Sequence, residues 1–367
     1  TTGEYNTATG FKVLVSTTTG CYNTASGTLA MFVNTTGNSN TAVGDSALKS
    51  NTTGQYNQAF GRYALCGHTT GGNNTAVGYA ALCATTTGDR NVAVGNYALC
   101  VSTTGANNVG VGYQAGRVTT TGCMNTFLGG YAGCANINGH RNTVSGAYAL
   151  YANTTGSVVG REAMYYNTTG GNNTASGYRS LFNNTTASNN VALGAQTLCA
   201  NTTGTLNTAV GTKALRSNTT GNANTASGHY ALKANTTGAC NTASGDYALA
   251  ANTTGFRNTA MGAESLKANT TASLNTAVGG CALFTNTTGN KNTATGYKAL
   301  VANTTGAHNT ASGAYSMINN TTGHWNSAHG TYAFIANTTG SCNTASGSYA
   351  LRNNTTGAFN SALGYRA

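Results

Sequence analysis

Asn38-Ser39-Asn40-Thr41-Ala42-Val43-Gly44-Asp45-Ser46-Ala47-Leu48-Lys49-Ser50-Asn51-Thr52-Thr53-Gly54 is one copy of a motif that fills the whole chain. Its closing Gly recurs at 20, 37, 54, 71, 88, 105 and 122, always 17 residues apart, within a frame that runs from Gly3 to Gly357. Gly139 closes a variant turn, and Ala187 and Ala272 replace the Gly. Twenty of the 21 intervals are 17 residues; the one between Gly156 and Gly170 is 14 and lacks the usual Asn-containing turn. With each coil numbered 1–17 to end on this Gly, the consensus is x-x-Asn-Thr-Ala-(Val/Ser)-Gly-x-x-Ala-Leu-x-x-Asn-Thr-Thr-Gly.

That period is too short for a helical hairpin repeat or a propeller blade. It suits a solenoid coil of two short strands and two turns. Gly at positions 7 and 17 marks the turns because Gly accepts positive φ, and Thr, Val and Tyr between them favour strand. The expected fold is all-β: a parallel β-solenoid, or β-roll, of about 22 coils, one continuous repeat domain over 1–367 with a short coil at 157–170. Coils stacked at about 4.8 Å would make a rod of roughly 100 Å. The chain has no Pro, as expected where every coil donates N–H groups to its neighbour.

One exchange orients the coil. Leu usually holds position 11 and Ala position 5, but Gly116 and Gly133 replace two adjacent Leu where Phe127 replaces Ala. Phe127 would fill the volume that Leu vacates, so positions 5 and 11 should face each other inside. Position 10 is nearly always small (Ala47, Ala64, Ala81, Ala98, Ala231, Ala248). As the neighbour of an inward Leu it should point away, into a tight corner or against another chain. Position 6 is often apolar (Val43, Val77, Val94, Val210, Val278) and sometimes Ser. Both features favour lateral association of three chains; a lone solenoid closing its own core is the alternative.

The composition narrows the function. Only 6% of the residues are charged, Gly numbers 50 and Tyr 20. The aromatic content and regular apolar pattern argue for an ordered fibre over disorder. The net charge is +11, but the basic residues scatter, and Lys213, Arg216 and Lys233 form only a modest cluster. That is not the footprint of a nucleic-acid-binding protein. No stretch is long and apolar enough to span a membrane. The chain starts in mid-repeat at Thr1 and stops in mid-repeat at Ala367, which reads as a processed chain or a section of a longer one.

Asn40-Thr41-Ala42-Val43-Gly44 and Asn74-Thr75-Ala76-Val77-Gly78, followed by Ala-Leu and Asn-Thr-Thr-Gly, resemble two related groups. One is the head of trimeric autotransporter adhesins of the YadA-like type; the other is the repeats of phage tail fibres. The resemblance covers the whole chain and implies a left-handed parallel β-roll that trimerises around the fibre axis. The coil here is longer than the usual adhesin coil and has one residue fewer between Asn and Ala, and no stretch of these 367 residues resembles an adhesin neck, stalk or membrane anchor or a tail-fibre chaperone.

Reactive chemistry is sparse. Of the six acids, only Asp246 and Glu264 fall on nearby positions of adjacent coils. The six His sit at unrelated positions, His324 and His329 beside Trp325, the only Trp. No catalytic set, cofactor motif or metal-ligand spacing is recognisable, and the chain reads as structural, not as an enzyme. Ten Cys include Cys66, Cys83 and Cys100 at position 12 of consecutive coils. They read as free thiols used for packing.

Two repeated features are candidate sites. Asn-Thr-Thr fills positions 14–16 in 15 coils, so that Asn34, Asn201, Asn218, Asn235 and Asn252 are N-glycosylation sequons. The reading preferred over glycans is an Asn ladder that satisfies the turn backbone. Fourteen Tyr lie at positions 8 and 9, among them Tyr230, Tyr247, Tyr315, Tyr332 and Tyr349. As an exposed stripe they could stack on a cell-surface glycan or a protein receptor; plain β-propensity is the alternative. The expected function is a rod-like shaft or head of a surface adhesin or tail fibre, at a cell surface, on a virion or otherwise extracellular. The alternatives are a self-assembling extracellular filament, bare or glycan-coated, and an ice-binding solenoid, for which Thr52 and Thr53 should point to opposite faces.

Overall fold

The computed structural model describes residues 2–151 and 156–367. It is an all-β parallel solenoid with the 17-residue repeat, and the chain divides into two compact units, Thr1–Thr186 and Ala187–Ala367. The first holds strands β1 (Thr7–Thr9) to β11 (Asn173–Ser176), the second β12 (Val191–Leu193) to β22 (Ser361–Leu363). Within each unit, successive strands pair in parallel with like positions facing like: Thr41, Ala42 and Val43 meet Thr24, Ala25 and Ser26 below and Gln58, Ala59 and Phe60 above. Among the described residues no helix occurs.

Among the described residues each coil carries one short strand, at positions 4–6 with one residue more in the strands of the short coil and the coil after it, and not two. The Asn-Thr-Thr-Gly stretch is a bend. There the N–H groups of Thr35, Thr36 and Gly37 all converge on the single carbonyl of Thr52, at 3.0, 3.1 and 3.3 Å. A strand would spread these donors over alternate carbonyls. Coil-to-coil bonding nonetheless continues around the circumference, as in Thr41 N to Asn57 O at 2.8 Å and Leu48 N to Ala64 O at 3.0 Å.

Left-handed backbone turns the corners. Positions 2, 9 and 11 hold non-glycine residues at φ between +46° and +62° in coil after coil, for example Ser39, Ser46 and Leu48. Position 7 is Gly throughout, at φ from +117° to +138°, a region that side chains rarely enter. Position 17 does not need positive φ. Its Gly is needed for close approach, because a Cβ on Gly54 would lie 2.5 Å from the Gly71 carbonyl oxygen.

The interior follows the expected pairing. Ala42 and Leu48 are fully buried, as are their equivalents in the inner coils of both units, whereas Ala8 and Leu351 in the end coils are not. Phe127 is fully buried too, and a Cβ on Gly116 would meet its Cδ2 at 2.6 Å. Gly133 yields to the other edge of the same ring. Position 10 corrects an expectation: Ala47, Ala64, Ala81 and Ala98 are themselves fully buried inside the chain's own coil. Positions 10 and 11 are a turn and not a strand, so adjacent side chains need not alternate. The small residue answers the tight corner, and position 10 gives no support to a neighbouring chain.

Two buried Asn columns, at positions 3 and 14, flank the Gly carbonyl in most coils, with His68, Thr85, Ser102 and Thr119 at position 14 of four consecutive coils. Nδ2 of Asn40 and of Asn51 both donate to Gly54 O, at 2.8 and 3.1 Å. Asn40 also donates through its main-chain N to Asn23 Oδ1 at 3.0 Å, and Asn51 through Nδ2 to Asn34 Oδ1 at 2.8 Å. The short coil omits positions 1–3. Its strand β10 (Gly156–Val159) still holds register on both sides, with Val158 facing Val144 and Ala175.

Candidate binding surface

The Tyr residues of positions 8 and 9 stand on turns. Every Tyr at position 9 is left-handed, from Tyr63 at φ +60° to Tyr349 at φ +59°. This removes β-propensity as their explanation. A bulky side chain in that conformation costs about 1–2 kcal/mol, and Asn or Gly would adopt it more cheaply. What Tyr gains is ring contact. Tyr315, Tyr332 and Tyr349 stack at centroid distances of 5.0 and 5.2 Å with interplanar angles of 6° and 14°. Tyr297 and Tyr365 close that run edge-on. Tyr230 and Tyr247 make a separate pair at 5.0 Å. Glu264, Cys281 and Lys298 at position 9 separate the two groups, so the five candidate Tyr form two platforms. All five are half-buried by their neighbours.

Cations border these rings. Lys213 and Lys233 lie 5.1 and 4.6 Å from the Tyr230 centroid, and Lys213 Nζ donates to its hydroxyl at 3.0 Å. This hydrogen bond lowers the Tyr230 pKa; burial opposes it, and the charges of Lys213, Lys233 and Arg216 add to the lowering. The basic cluster seen in the sequence is thus a collar around Tyr230. Arg352 and Arg366 border Tyr349 in the same way.

A second aromatic site was not legible in the sequence. Beside the short coil, Tyr148, Tyr165, Tyr166 and Phe182 line a cleft of about 280 Å³ together with Glu162 and Arg179. Tyr165 stacks on Tyr151 at 5.1 Å and on Phe182 at 5.5 Å. Glu162 bonds Arg179 and Arg161, and these contacts, Arg179 foremost, hold its carboxyl below the usual range. Aromatic walls with a charged rim can hold a sugar ring or another flat polar group. The signal was the three-residue deletion itself, which brings Tyr148 and Glu162, only 14 residues apart, to equivalent positions of adjacent coils.

The other candidates disperse. Asn34, Asn201, Asn218, Asn235 and Asn252 are fully buried. Nδ2 of Asn235, the atom a glycan would use, donates to Asn218 Oδ1 at 2.8 Å and to Gly238 O at 2.9 Å. Asp246 pairs with His229 and Glu264 with Lys267, each separately. Trp325 stacks on His308 at 3.8 Å, while His324 Nδ1 accepts the main-chain N–H of Ala307. Thr52 is half-buried, with its hydroxyl donating to Thr69 O, and Thr53 is exposed. Among the described residues, no three or more His, Cys, Asp or Glu converge on one point.

His68 breaks the position-14 Asn column. It is fully buried, its Nε2 is 2.7 Å from Gly71 O, and its Nδ1 has no partner. Burial lowers its pKa below the ordinary 6.5, chiefly by desolvation. A His whose folded pKa is depressed contributes stability above its unfolded pKa and loses it as the pH falls through the folded one. Exchange protection of the coil 55–71, corrected for intrinsic rates, should therefore drop below about pH 6.5 relative to the coil 38–54. His68→Asn should abolish the difference, and parallel pH profiles in the two coils would disprove the assignment.

In comparisons with known proteins, no family pattern matches the chain and no curated protein does.

Proposed function

We propose that the chain is a structural and adhesive fibre segment, a shaft or head that works outside the cell or on a virion and holds a glycan or protein receptor on its aromatic platforms. The observation that carries this reading is the left-handed Tyr run of position 9. Residues kept there against backbone preference, with ring faces and cationic borders, suit contact with a ligand better than they suit the coil. The resemblance to adhesin heads and tail-fibre repeats points the same way. The test is the triple variant Tyr315→Asn, Tyr332→Asn, Tyr349→Asn. Its melting should shift by less than about 1 kcal/mol per site, since lost stacking offsets relieved strain. Its retention on immobilised glycans or on the surface of host cells should fall at least tenfold. Unchanged retention would remove the Tyr platform from the proposal.

The same reading includes self-association. Val43, Phe60, Val77, Val94, Val111 and Leu128 form an outward rank at position 6 in consecutive coils, each 37–41% exposed. Such a continuous apolar rank suits burial between chains. Light scattering should give a multiple of the 36.9 kDa chain mass, and Val77→Lys with Val94→Lys should reduce it. A single-chain mass at every concentration would defeat this part.

A further inference from the structure

Position 12 of five consecutive coils reads Lys49, Cys66, Cys83, Cys100, Arg117. All three Cys are free and half-buried. Their backbones are clamped in register: Ser50, Gly67 and Ala84 donate N–H to the carbonyls of Cys66, Cys83 and Cys100 at 3.2, 2.8 and 2.9 Å. Neighbouring Cys are thus one coil apart, with backbones about 4.7–4.9 Å apart at the spacing of paired strands. That exceeds the Cβ separation of about 3.5–4.5 Å that a disulfide requires. It matches two thiolate–metal bonds in line, at about 2.3 Å each. Metals that need three or four converging ligands find none here. Soft thiolates select ions such as Cu(I).

We propose that Cys66, Cys83 and Cys100 form a binding site for a soft, two-coordinate monovalent cation, Cu(I) or Ag(I), held linearly between thiolates of adjacent coils. Cys83 belongs to both available pairs. Binding exchanges protons for the ion without redox change: two thiols and M⁺ give a bis-thiolate complex of charge −1 and two protons. Lys49 and Arg117 bracket that anion. Arg117 and Cys134 share the column one and two coils beyond Cys100, and Cys134, with no Cys on the intervening coil, lacks a pairing partner.

The experiment is Ag(I) titration of the full chain in excess glutathione, followed by native mass spectrometry. The wild type should retain silver. Cys83→Ser should weaken retention about 100-fold or more, the avidity a second tethered ligand confers, because Cys66 and Cys100 are two coils apart. Cys66→Ser should still retain one ion. Alkylation mapping of the unmutated chain gives an independent readout: silver should protect Cys83 and Cys100 while the exposed Cys240 and Cys342 react freely. Retention by Cys83→Ser equal to wild type would overturn the site. So would equal alkylation at all Cys, or a Cys83–Cys100 disulfide in place of bound silver.

Discussion

Leu232→Asp is expected to open one coil and leave distant coils of the same unit intact. Leu232 is fully buried, and an uncompensated buried charge costs about 3–5 kcal/mol. In a globular core that penalty would be felt by the whole domain. Here the described strand pairings join successive coils, as Ala226 joins Ala209 and Ala243, so the damage should be confined to coil 222–238 and its neighbours. Peptides around Leu351, 119 residues and seven coils further on, should keep their protection in hydrogen exchange, as should those around Leu48 in the other unit. Uniform loss of protection across residues 187–367 would mean a single cooperative unit and would refute the nearest-neighbour picture.

The second large effect separates two kinds of glycine. Gly245→Ala should destabilise its coil by about 3 kcal/mol or more, combining backbone strain with steric conflict. Gly245 sits at φ +134°, and a Cβ there would lie 2.6 Å from both the carbonyl carbon and oxygen of Gly262. Gly238→Ala should cost about 1 kcal/mol or less, although a Cβ on Gly238 also meets crowding from the Gly255 carbonyl and Asn235. The chain itself supplies the precedent: Ala187 and Ala272 occupy position 17 almost fully buried, whereas position 7 is Gly in every coil. At position 17 a small shift relieves the contact; at position 7 no shift removes the dihedral penalty. Equal melting of the two variants would contradict this distinction.

The sequence carried the period, the parallel stacking and the inward pair. These rest on apolar side chains and volumes, and Phe127 against Gly116 and Gly133 states them almost geometrically. It did not carry the corners. Ser39, Ser46 and Leu48 have nothing in their chemistry that announces left-handed backbone, and the coil imposes it through its bonds to both neighbours. That is why position 10 was assigned to the wrong side of the chain and why a second strand was expected in Asn-Thr-Thr-Gly. The position-14 Asn column was legible as a ladder. The position-3 column, equally regular in the consensus, was not recognised as its partner on the same carbonyl. Among candidate sites, the Tyr stripe was visible because it repeats. The cleft around Glu162 was not, because it arises where the repeat is broken.

The short coil shows which part of the repeat can vary in length. Positions 1–3 are absent there, yet Val158 still faces Val144 and Ala175. The outer corner is therefore a detachable syllable, and the strand and inner turn carry the frame. A change of length at this corner leaves Val158 facing inward, whereas a single residue added within the strand would turn its inward side chain to the other face. Evolution and engineering alike can write new loops at that corner, coil by coil, on a framework whose punctuation stays fixed.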